Sequence, residues 1–158
     1  MGASFPAYLK LLGELSAGLE RLAELAQDKA AAARQDDLLA LDEVLKQEQA
    51  MTLSLRGLEQ RRSRMVDQLG LNGVSLADLP EHCPPELEAD ARRSEQALRD
   101  SYKVYRSCAD MARATLELNL HQIEKVITAS GGDPVELGMG YRPAGSEPPK
   151  NMKTDFRA

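Results

Sequence analysis

Residues 30–71 read AAAARQDDLLALDEVLKQEQAMTLSLRGLEQRRSRMVDQLGL, and this stretch decides the fold. It contains the end of one long amphipathic helix, a short break, and a second long helix. The break carries Asp36-Asp37. A carboxylate there accepts hydrogen bonds from the free amide N–H groups of a helix start and meets the positive end of its dipole. A link this short turns the second helix back along the first, so an antiparallel hairpin is expected.

Upstream, the spacing predicts a helix over residues 4–34, with Pro6 tolerated in its first turn. Phe5, Tyr8, Leu12, Leu15, Leu19, Leu22, Ala26 and Ala33 recur at alternating steps of three and four, the heptad pattern of a seam, and Lys29 interrupts it. Glu14, Glu20, Arg21, Glu24 and Asp28 fall off that seam. The second helix is expected over 37–69 with the seam Leu41, Val44, Glu48, Met51, Leu55, Leu58, Arg62, Met65 and Leu69. Glu48 and Arg62 are long enough to lay their stems along the seam and put their charges outside it.

Gly70, Asn72 and Gly73 stop this helix and open a loop over 70–84, in which Ser75 to Asp78 caps one short turn. Pro84 and Pro85 suit a helix start, and Glu86 and Glu88 sit well against its dipole. The third helix is therefore expected over 85–130. Its seam is Leu98, Tyr102, Tyr105, Ala109, Ala112, Leu116, Asn119, Ile123 and Val126, and Gly131-Gly132-Asp133-Pro134 ends it. At a rise of ~1.5 Å per residue it runs to about 65 Å and outreaches the other two.

These elements predict an all-α fold: an elongated antiparallel three-helix bundle over residues 1–130, made of a helical hairpin and one longer third helix, with a disordered C-terminal tail over 131–158.

The third helix carries a second apolar stripe: Val104, Cys108, Met111, Thr115 and Leu118, spaced four, three, four and three. It lies about 100° around from the first. Three coverings are open: an amphipathic client helix, the hairpin itself, or a second copy of the chain in a homodimer. Met suits a surface that receives variable side chains. The tail has no apolar periodicity, but Met139, Tyr141, Met152 and Phe156 stud it as single anchors, which fits either a short recognition segment or a linker.

Composition narrows the function classes. A chain of 158 residues is most simply one domain, and four Tyr, two Phe and no Trp suit helices packed through Leu, Met and Ala. A net charge of −5 argues against nucleic-acid binding, and Arg61-Arg62-Ser63-Arg64 spreads around its helix as a solvated face. Cys83 and Cys108 make no disulfide framework and fit a reducing compartment. No signal peptide or membrane span is read, and Pro6 stands where a myristoylation signal has Ser or Thr. The chain is expected to be cytoplasmic, without stable membrane insertion.

His82 beside Cys83 has only His121 and Cys108 for company, too few and too scattered for a zinc site, so no metal and no cofactor are expected. Glycine-rich phosphate loops and nucleophile elbows are absent from the sequence, and an all-helical enzyme for carboxylate substrates would turn several Arg inward where this seam has only Arg62. No catalytic residue is assigned, and the chain is not expected to be an enzyme.

The hairpin with its Asp-containing break, then LALDEVL at 39–45, LEQRR at 58–62 and QLGL at 68–71, resembles the FlgN family of flagellar export chaperones. The tail motifs GYRPAG at 140–145 and KTDFRA at 153–158 are similar to that family's tail. Ala109, Ala112 and Ala114 stand mid-helix where the family commonly has Asn, leaving Asn119 alone. The resemblance implies a cytosolic chaperone that holds the amphipathic terminal segment of hook-associated proteins, prevents their premature assembly, and delivers them to the type III export gate. It also implies that Tyr141 takes part in docking to that gate.

Overall fold

The computed structural model describes residues 2–131. Every regular element among them is helical. Helix α1 spans Phe5–Arg34, with Ser4 Oγ accepting from the Ala7 amide (3.3 Å) at its start. Helix α2 spans Leu38–Leu69, and the Asp37 carboxylate caps it by accepting from the Ala40 amide at 3.0 Å. Between them Asp36 adopts the left-handed conformation (φ 53°), which lets the Asp37 amide reach back to the Ala32 carbonyl at 3.0 Å. The two aspartates thus divide the work, one turning the chain and the other starting the new helix. Gly70 (φ 68°) ends α2 in the same left-handed way, and Leu71 then tucks into the core.

The connection expected as a loop over 70–84 contains more helix than that. A 3-10 turn at Leu76–Asp78, capped by Ser75, leads into the one-turn helix α3, Leu79–His82. Buried Leu79 and Pro80 hold this turn down. A second 3-10 turn at Pro85–Leu87 precedes α4, Glu88–Ala129, because extended Pro84 (ψ 143°) prevents the helix from running back through it.

Cross-helix bonds fix the topology. Ala3 N donates to Gln68 Oε1 (3.0 Å), joining the start of α1 to the end of α2, so those two are antiparallel. Helix α4 runs parallel to α1: Ser101 donates to Glu20, Gln27 to Cys108 Sγ, and Asn119 to the Ala33 carbonyl, in rising order along both.

The three long helices are not equivalent. Helix α1 lies in the middle, packed against both α2 and α4, while those two barely touch each other. Fifteen residues of α1 are buried, against one in α2 and six in α4, so α1 alone is covered on more than one side. Gly18 of α1 faces Leu55 of α2, and Ala23, Ala26 and Ala30 pack against Cys108 and Ala112 of α4. Small residues on both sides let α1 and α4 approach closely.

The charged interruptions of the seams are also placed differently from expectation. Glu48, instead of putting its charge outside the seam, pairs across α1 and α2 with Lys29 at 2.8 Å. Arg62 bonds Glu59 at 2.6 Å and reaches the Tyr8 hydroxyl at 3.5 Å. Half-buried charges need such partners, and satisfying them locally costs less than rotating a helix to expose them.

Candidate functional site

The surface that sets this molecule apart lies on α4. Heptad spacing put Val104, Cys108, Met111, Thr115 and Leu118 on one stripe, and the packing of α1 divides them. Cys108 is 7% exposed, seated against Ala23, Ala26 and Ala30, and accepts a hydrogen bond from Gln27 Nε2 at 3.4 Å. It belongs to the core and offers nothing to a partner. Thr115 is half-buried and its hydroxyl donates to the Met111 carbonyl at 3.0 Å, within its own helix.

Val104, Met111 and Leu118 are 53%, 50% and 60% exposed. Seven residues separate each from the next, so they form a straight row along α4. Exposed Ser107 and Ala114 alternate with them, giving large and small positions in turn. Such a row is a half-made heptad interface, with knobs presented and no helix supplying holes. Single exposed apolar residues are ordinary, whereas a row in register is not.

Helix α4 itself runs on past the body of the molecule. Asn119 Nδ2 donates to the Ala33 carbonyl at 2.6 Å, at the end of α1, where the Asp36 amide donates to the same oxygen at 3.2 Å. Beyond that bond α4 continues ten residues, about 15 Å, without α1 beside it. Ile123 and Val126 are exposed on this projection, and Leu120 and Ile127 are half-buried. At the same end, Leu38 and Leu39 begin α2 at 76% and 86% exposed. Sequence reasoning missed this leucine pair because it falls before the first seam residue, Leu41. Its one signal is two adjacent apolar residues directly after a capping aspartate.

Among the described residues no group of His, Cys, Asp and Glu is placed to hold a metal ion. His82 Nδ1 donates to the Asp78 carbonyl at 3.0 Å, and half-buried Cys83 has its thiol pushed up by desolvation. No helix among the described residues is long and apolar enough to cross a membrane. Met139, Tyr141, Met152 and Phe156 lie outside the described residues.

Comparison with known families matches the FlgN protein model to residues 1–149, nearly the whole chain. The chain belongs to the FlgN family. Membership places it among flagellar export chaperones. No curated protein and no solved structure matches it.

Proposed function

We propose that this FlgN-family protein is a cytosolic chaperone of type III flagellar export that binds the amphipathic terminal helix of hook-associated proteins. The observation that carries this reading is the exposed row Val104, Met111 and Leu118, with Thr115 at its edge; exposed Ile123 and Val126 lie further along α4 on its other stripe. A client helix laid along α4 would bury its own apolar face there and complete a fourth long helix beside α1, α2 and α4. No bond is made or broken, and holding requires neither ATP nor a cofactor. Sequestering the client's sticky face is sufficient to delay its assembly. Tyr141, carried over from the family resemblance, is the proposed contact with the export gate.

The test is co-purification with the C-terminal segment of a hook-associated protein, with mass read by light scattering. A discrete complex replacing the free species supports the reading. The second reading, a structural coiled-coil protein that self-associates, draws on the same uncovered row. A stable homo-oligomer that ignores the client segment establishes it instead.

A further inference from the structure

A second feature lies elsewhere on α4. A cleft of about 300 Å³ opens between this helix and the connecting segment, lined by Leu76, Glu95, Leu98, Arg99, Tyr102, Lys103 and Arg106. Leu76, Leu98 and Tyr102 make its apolar floor. Its rim is basic: Arg99, Lys103 and Arg106 follow one another at steps of four and three and so share one face of the helix.

These cations are not equivalent. Arg99 pairs with the nearly buried Glu95, which neutralises it. Lys103 and Arg106 are exposed and have no ion-pair partner among the described residues. With Arg99 paired to Glu95, Lys103 and Arg106 leave the lining of this apolar recess net positive on a protein of net charge −5.

We infer that this cleft docks an acidic linear peptide of a partner protein, one bulky apolar side chain entering against Leu76, Leu98 and Tyr102 while flanking carboxylates pair with Lys103 and Arg106. Charge complementarity selects the occupant. The recess is the size of one or two side chains, too small for the face of a helix. Arg106 projects about 140° from Met111 and so lies off the row of the preceding proposal, while Lys103 borders that row about 40° from Ser107.

The full chain, labelled with nitrogen-15, is titrated with the acetylated, amidated pentapeptide Glu-Glu-Leu-Glu-Glu. Amide shifts confined to Leu76 and Leu98 to Arg106 support the inference, as does loss of about tenfold or more in affinity in Lys103→Glu/Arg106→Glu, a coulombic contact being read by charge reversal. Both sites are exposed, so the variant keeps its fold, and Lys103→Gln/Arg106→Gln provides a milder check. The Gln-Gln-Leu-Gln-Gln peptide must bind more weakly. Equal binding by it, or shifts at every exposed arginine such as Arg61, Arg64 and Arg93, overturns the proposal. So does a response of these amides to phosphatidylserine vesicles alone, or to protein concentration without peptide, which would make the occupant a lipid surface or a second copy.

Discussion

Three helical glycines show how finely individual positions are set. A Cβ on Gly18 would stand 2.5 Å from Leu55 Cδ2, the one fully buried side chain of α2, whereas Gly13 and Gly57 face open space. Replacing a glycine inside a helix by alanine gains about 0.5–1 kcal/mol where nothing is met. Gly13→Ala and Gly57→Ala are therefore expected to stabilise by that amount. Gly18→Ala is expected to destabilise by about 1–3 kcal/mol, because Leu55 must leave its rotamer or α1 and α2 must part. Urea denaturation of the three variants checks this, and equal gains at all three would show that Leu55 yields freely.

Tyr8 and Tyr105 make the residue scale visible to pH. Desolvation pushes the Tyr8 phenol above its ordinary value of 10.0, outweighing the opposing pull of Arg62. Tyr105 is raised for the same first reason, with Glu48 adding to it. On Arg62, burial works against the charge, but the bonds to Glu59 and Tyr8 overcome it and hold the guanidinium more firmly protonated. Both phenols therefore keep their protons in the fold after the unfolded chain has lost its own. Stability from this source is complete below pH 10, and is lost as pH climbs from there towards the folded values. Melts across the alkaline range should fall in this way, and Tyr8→Phe should flatten the slope. With no Trp in the sequence, tyrosinate absorbance follows the ionisation directly.

At the scale of elements, α4 carries both a covered and an uncovered stripe. Met111→Glu with Leu118→Glu changes only half-exposed side chains and is expected to abolish client capture while leaving helicity and melting almost unchanged. Cys108→Glu, by contrast, places a charge against Ala23, Ala26 and Ala30 and should unfold the α1–α4 contact. Circular dichroism beside the co-purification separates the two. Unfolding of the double variant would make the row part of the core. Helix periodicity alone could not have told Cys108 from Met111, because both satisfy the same heptad and the covered side depends on where α1 lies. The hairpin was legible because Asp36-Asp37 and a three-residue link leave the chain little choice. The central place of α1 was not. A single-seam reading passes over Leu9, Leu11 and Leu25, and treats Gly18, Ala23 and Ala30 as spacers when they are the contact itself. The same habit of reading polar seam residues as strays hid the role of Asn119, which ties α4 to the end of α1.

For the whole molecule, an apolar docking row implies affinity drawn from surface removed from water, at roughly 25 cal/mol per Å² before ordering costs are subtracted. Client binding is therefore expected to change by less than about tenfold between low and moderate salt, since screening acts on exposed charges. A steeper fall in a titration series would assign the affinity to ion pairs instead. Tyr141→Ala is expected to leave the client complex intact and to reduce export. Equal secretion with and without the ring would remove Tyr141 from gate docking.

The central position of α1 has a further consequence for the order in which the chain gains and loses structure. The bonds joining α1 to α4 link residues 81 to 86 positions apart, whereas Lys29 and Glu48 of the hairpin are separated by 19. Closing the shorter loop costs less chain entropy, so the hairpin forms early and α4 zips onto it afterwards. In the native state the reverse applies: the amides of α4 beyond Asn119 exchange with deuterium first, its docked half next, and α1, clasped from two sides, last.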